Sequence, residues 1–226
     1  LDIEAGRALL LERGGLSPDS VDCSVADAVV AELDGLPLAL ELAAARLDVC
    51  SLPDLLRRLP RRLALLRKTH AGRPARQWSL EAAIQWSWDL LSESQRTLLG
   101  GCAVFVGGFD LAAAEAVLGE MAALDGLPVL VSASLVQRSS SESTTRFHLH
   151  RSIAAFARER VKLHHSQHMR WFATQAPVWT AAIHGRASSA AWSQLELERD
   201  NLQAAFSYAT TSGHAAEAVA LATALH

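Results

Sequence analysis

Cysteine is scarce: Cys23, Cys50 and Cys102 stand far apart, odd in number and without a Cys-x-x-Cys pair. Such a set supports neither a disulfide framework nor a zinc knuckle, and it fits a reducing, cytoplasmic compartment. No run approaches the ~18 uninterrupted apolar residues of a membrane span, and no signal peptide is seen, so no membrane partner is expected. Lysine is scarcer still, with two against nineteen arginines, and no Gly-Lys pair occurs. A phosphate-cradling P-loop needs glycines and a lysine together, which excludes one here, and no strand ending in paired acids offers a second nucleotide motif. Aromatic residues make up 6% of the chain and β-branched residues are also sparse, which disfavours sheets. The formal charge of −3 gives no global pull towards nucleic acid or an anionic surface.

What is abundant is alanine and leucine, and half the residues are hydrophobic, enough for a sizeable core built of helices. The segment Asp34–Leu47 shows how they are used. Gly35 can take the left-handed backbone that stops one helix, and Pro37 suits the first turn of the next. Leu38, Leu42 and Ala45 then share a face. Start and stop signals place helices at about 2–13, 24–34, 37–48 and 53–66. A basic connector follows: Arg57, Arg58, Arg61, Arg62, Arg67, Lys68, Arg73 and Arg76 carry eight charges with no acid between Asp54 and Glu81. Residues 70–76 have no apolar period and read as an exposed linker.

From about Gln77 the grammar changes. Ser79 can cap a helix with Leu80, Ile84, Trp88 and Leu91 on it. Ser92-Glu93-Ser94-Gln95 has the form of a capping box. Asp110 can cap a helix over Leu111–Leu118, and Leu124–Ala133 supplies another. Leu135–Gln137 reads as a strand, Ser139–Thr145 as a polar tip and Arg146–Leu149 as the returning strand. A helix over about Arg151–Leu163 follows. Helices followed by a two-stranded wing spell a winged-helix domain. Beyond His164 the pattern is helical again, in pairs that suggest the start of a tetratricopeptide-like superhelix. The chain begins and ends inside helical patterns, and a fragment of a longer protein is expected.

The order of these words carries a resemblance. Gly35-Leu36-Pro37-Leu38 is followed by Ser79–Ser92, Phe105–Phe109, Ala133–Val136, Phe147–Arg160 and Leu195–Leu202. The series resembles the bacterial STAND-class signalling ATPases, which include NB-ARC-like proteins and regulators of the LuxR and SARP type. The resemblance implies a mainly α fold: a helical domain over 1–68, a basic linker over 69–77, a winged helix with a small β-hairpin over 78–163, and the start of helical repeats over 164–226. It implies a regulatory segment in which the winged helix couples nucleotide state to the repeat sensor. The alternative is a DNA-binding winged-helix transcription regulator. ADP or ATP is expected in the intact protein, with none held tightly by this segment, which is not expected to be an enzyme. Expected partners are an upstream nucleotide-binding domain and an inducer or protein bound by the repeats.

Three residues are candidates for nucleotide contact. Pro37 matches the family's GLPL proline, whose rigid, donor-free ring can cover a base; the same residue also simply starts a helix. His150 matches the histidine of the Met-His-Asp motif, written here Leu149-His150-Arg151, which senses the ADP phosphate in the family; a surface-capping histidine is the alternative. Free N–H groups at a helix start attract phosphate, and an imidazole adds a donor. Arg151 departs from the usual acid, adding phosphate affinity and putting any contact made by that acid in doubt. His164, His165 and His168 include a metal-compatible spacing, yet no cysteine or acid completes it, and a solvated helix start is expected. Direct DNA binding is not expected, because the candidate recognition helix Leu124–Ala133 has one charge, Asp125, where a base-reading helix needs Arg, Asn or Gln.

Overall fold

The computed structural model describes residues 1–59, 75–140, 145–183 and 188–225. They form a mainly helical chain with one small antiparallel sheet. Two compact units are present: Leu1–Ser92 with Leu130–Leu135, and Glu93–Val129 with Val136–His226.

The first unit is built from α1 (Ile3–Arg13), α2 (Cys23–Glu32), α3 (Pro37–Ala44), α4 (helical over 52–59) and α5 (Ala75–Asp89). Asp2 and Asp22 cap α1 and α2 by accepting N–H bonds from Ala5 and Ser24. Leu10, Val29, Leu33, Leu40, Leu42, Leu55 and Leu59 fill the core. Gly35 has φ +60°, and a Cβ there would lie 2.4 Å from the carbonyl oxygen of Leu1, so the corner admits only glycine. Pro37 is the first residue of α3, as its fixed φ and missing donor favour. Most of the basic connector, including residues 60–74, lies outside the described residues.

The second unit contains α6 (Glu93–Cys102), β1 (Phe109–Asp110), α7 (Leu111–Leu118), β2 (Gln137–Ser140), β3 (Thr145–His148) and α9 (Arg151–Arg158). It also holds α10 (His165–Ile183), α11 (Ser188–Thr211) and α12 (Ala215–Leu225). α8 (Glu120–Ser132) follows α7 and ends in residues grouped with the first unit. The sheet order is β1-β3-β2, with Phe109 opposite Phe147 and Arg138 opposite Phe147 on the other side. This order of helices and strands is a winged helix.

The structure shifts several expected boundaries. Leu135 and Val136 are buried but are not strand: Ser134 takes φ +55° and the Leu135 N–H caps α8 through the Leu130 carbonyl. The strand therefore starts at Gln137 and includes Ser139 and Ser140, whose polarity had suggested the hairpin tip. β1 had no sequence signal, since two residues cannot show a period. α9 stops at Arg158, where the N–H groups of Arg160 and Val161 both turn to the Ala157 carbonyl. Asp110 does cap α7, accepting the Ala113 N–H at 2.8 Å.

An aromatic column ties the sheet to α10. Phe105 stacks on Phe109 at 4.4 Å and Phe109 on Phe147 at 5.7 Å. On its other side Phe105 meets the edges of His168 and Phe172 on α10. Phe109 and Phe172 are almost fully buried, each worth roughly 2–3 kcal/mol of apolar transfer.

Candidate functional site

The junction of β3 and α9 places the sequence-predicted residues His150 and Arg151. β3 ends at His148, and His150 sits at φ −61°, ψ 140° as the cap of α9. Its Nδ1 accepts the Ser152 N–H at 3.3 Å, so the neutral ring carries its proton on Nε2. Both His150 and Arg151 are exposed. Arg151 lines a cavity of about 690 Å³, with Arg158, His148, Cys102, Asp200 and the 105–109 loop. Arg151 and Arg158 are the cations of this cavity, and Arg158 is anchored by donating from Nε to the Ala103 carbonyl at 2.8 Å.

The cavity wall is held by close backbone approach. Gly108 has φ +94°, and a Cβ there would come within 2.4 Å of His148 Nδ1. Burial, and then the charge of Arg146, push the His148 imidazole below its ordinary pKa. Burial pushes the Cys102 thiol up, away from a nucleophile's range. Pro37 is exposed and belongs to the other unit.

Beneath the cavity lies a polar centre that sequence reasoning missed. Asn201 on α11 is completely buried. Its Nδ2 donates to the Gly108 carbonyl at 2.8 Å and to Glu198 Oε2 at 2.7 Å. Its Oδ1 accepts the Val106 N–H at 2.7 Å and faces His168 Nε2 at 3.4 Å. Val106 can only donate and Gly108 can only accept, so the amide orientation is fixed by its partners and His168 carries its proton on Nε2. Glu198 Oε1 accepts from Arg146 Nη1 at 2.5 Å, a pair with side chains 3% and 9% exposed. Nε and Nη2 of Arg146 have no hydrogen-bond partner. One asparagine thus joins the 106–108 loop, α10 and α11, and Glu198 adds the wing strand.

His168 is 2% exposed, and its imidazole is pushed down to about 4, first by burial, against the bond to Asn201, and then by His165. The expectation of a solvated helix start fails here, because His168 falls on the buried face of α10 with Met169 and Phe172. The signal that could have found this centre is polarity at core spacing: Glu198 and Asn201 share a helical face with Leu195 and Leu202.

α8 covers most of the candidate recognition helix expected over Leu124–Ala133. Its charged residues are Glu120 and Asp125, and Met121, Leu124 and Val129 are exposed, Met121 at 70%. No cation stands on this helix. Arg138 is exposed on β2.

No family model matches the chain. It is 37% identical over 204 residues to proteins of Mycobacterium bovis and Mycobacterium tuberculosis that both carry the name "Putative HTH-type transcriptional regulator". The match covers 85% of this chain and 23% of each relative, so the chain spans about a quarter of their length. An uncharacterised Mycobacterium bovis protein is 47% identical over 85 residues, which is 38% of this chain and 22% of that protein. No helix of the described residues is long and apolar enough to cross a membrane.

Proposed function

We propose that this chain is a regulatory segment of an HTH-type transcription regulator. The relatives' name supports that class, and the winged helix joined to helical repeats through Asn201 supports a regulatory role. No catalytic role is assigned: the chain has no Gly-Lys pair, and the Cys102 thiol is held protonated by burial. Chromosomal occupancy of the intact protein, measured by cross-linking and sequencing, tests the class, and an occupancy profile equal to that of an untagged control refutes it.

Within that class the family resemblance supports an internal relay, with a helical domain, a winged helix and a repeat sensor in succession. His150 and Arg151 would face nucleotide phosphate; Pro37, in the other unit, is a base contact by the family resemblance alone. The fit rests on two cations, Arg151 and Arg158, at one cavity, and on the Nε2–H of His150, which stands between the lining residues Leu149 and Arg151. A nucleotide bound there would supply a negative charge whose loss or gain biases the winged helix. ADP retention by the intact protein is the readout, and His150→Ala should release it. Unchanged retention would sink the role of His150 while leaving the regulator class standing.

A second reading, direct DNA contact through the winged helix, is favoured by the relatives' HTH designation. The side chains of α8 oppose base reading by that helix, since acids and apolar groups offer no bidentate donor to a guanine edge. A DNA contact made by this chain would therefore have to use cations elsewhere.

A further inference from the structure

α9 presents Arg151, Ala154, Ala155 and Arg158 to the cavity of about 690 Å³, at the spacing of one helical face. The two arginines stand about two turns, ~10 Å, apart along the helix with the small alanines between them. Across the cavity lie the 105–109 loop and Asp200 of α11. An acid from a different element therefore shares one space with both cations.

Asp200 and Asn201 are consecutive on α11 and meet consecutive residues of that loop. Asn201 accepts the Val106 N–H at 2.7 Å and donates to the Gly108 carbonyl at 2.8 Å. Asp200 faces Gly107 between them. A Cβ on Gly107 would lie 3.3 Å from Asp200 Oδ2, at a φ of +85°. The carboxylate thus stands against the loop at the point where the loop borders the cavity.

The acids of the neighbouring elements are engaged elsewhere. Glu198 binds Arg146, Glu196 lies 3.9 Å from Arg199, Glu159 lies 3.6 Å from Arg160, and Asp110 caps α7. Glu93 on α6 and Glu115 on α7 are not among the residues that line the cavity. His148, whose imidazole burial holds below its ordinary pKa, adds no charge at neutral pH. Among the described residues Asp200 has no salt-bridge partner, and it is the acid of the cavity lining.

We propose that Asp200 is the resident counter-anion of this cavity: its carboxylate offsets the field of Arg151 and Arg158, and an entering phosphate competes with it for the two guanidinium groups. The inference rests on the reading of the cavity as a phosphate site, and it makes α11 the element that senses occupancy. Phosphate and Asp200 are like charges facing the same cations. Bound phosphate therefore weakens the hold of α11 on the 106–108 loop, and by linkage that hold weakens phosphate binding to the same extent.

The test is titration of the 226-residue chain with inorganic pyrophosphate in low salt, followed by amide NMR shifts at Gly107 and Ala155. Asp200→Asn, at an exposed position, should tighten binding roughly fivefold, the effect of removing one like charge ~8 Å away at an effective dielectric of ~40. Glu196→Gln removes the same charge one turn away, outside the cavity, and should leave affinity within about twofold. Arg158→Gln should weaken binding roughly tenfold. Pyrophosphate should also speed amide exchange at Val106 in the wild type and leave it unchanged in Asp200→Asn. If Arg158→Gln weakens binding but Asp200→Asn does not tighten it, the counter-anion is overturned and the phosphate site stands. Equal tightening by Asp200→Asn and Glu196→Gln overturns it as well, because the effect is then one of net charge. No saturable binding by the wild type or by Asp200→Asn overturns both the counter-anion and the phosphate site.

Discussion

Replacing Asn201 by alanine is the sharpest probe of how the winged helix is held. The side chain makes two donations and accepts the Val106 N–H, with distances of 2.7 to 2.8 Å, and it is inaccessible to water. Truncation leaves the Val106 N–H, the Gly108 carbonyl and one oxygen of Glu198 without this partner. Each buried orphan costs roughly 1–3 kcal/mol, the charged one at the upper end. Entry of a water into the vacated space offsets part of this, and the expected loss is about 4 kcal/mol. For a domain of this size that corresponds to a fall in Tm of roughly 8–16 °C. Asn201→Asp separates hydrogen bonding from volume. It keeps the shape but sets a second carboxylate against Glu198, which raises the folded-state pKa of the new acid. A raised folded pKa gives stability that is present at low pH and lost as pH rises through it, so this variant should recover towards wild type on acidification. Alanine at the same position should not recover. The assay is thermal unfolding by circular dichroism across pH, with amide exchange at Val106 as a local reporter. An Asn201→Ala melt within about 3 °C of wild type, roughly 1 kcal/mol, would refute the reasoning.

Three further outcomes follow from the same region. The His168 imidazole, ordinarily near 6.5, is lowered to about 4 in the folded chain, so the unfolded chain binds the proton more readily between those values. Stability should fall as pH drops from about 6.5 to 4, by up to about 3 kcal/mol from this residue, and the pH dependence of His168→Gln melts should be flatter by that amount. Glu198→Ala leaves Arg146 buried and unpaired and should cost about 3–5 kcal/mol in chemical denaturation, whereas Arg146→Met with Glu198→Leu should recover most of it. Gly108→Ala forces a Cβ to within 2.4 Å of His148 at a φ of +94°, so it should destabilise by about 1–3 kcal/mol. Adding His148→Ala should relieve the clash and leave the backbone strain, visible as partial rescue of Tm.

The helices were legible in the sequence because their signals are local. Asp110, Gly35 and Pro37 act on neighbours within four residues, and they end up where capping and turn chemistry put them. The wing was legible from Phe147 and its polar hairpin, though one strand began later than the pattern suggested. Leu135 and Val136 are apolar enough for a strand but serve as the buried exit of α8. Nothing local distinguishes those two uses. β1 pairs with β3 across 38 positions of chain, Phe109 with Phe147, and two residues carry no periodicity of their own.

The candidate site divides in the same way. The sequence by itself determined that His150 opens a helix behind a strand, that no P-loop exists in this chain, and that α8 carries no cation. Composition and spacing along one segment suffice for each. Only the tertiary structure decided that Asn201 would bind a loop 93 and 95 positions away, and that Glu198 would bury the charge of Arg146. It also decided that His168 would join that centre instead of facing water. A buried polar side chain is stable only where distant partners converge on it, and convergence is a property of the folded chain.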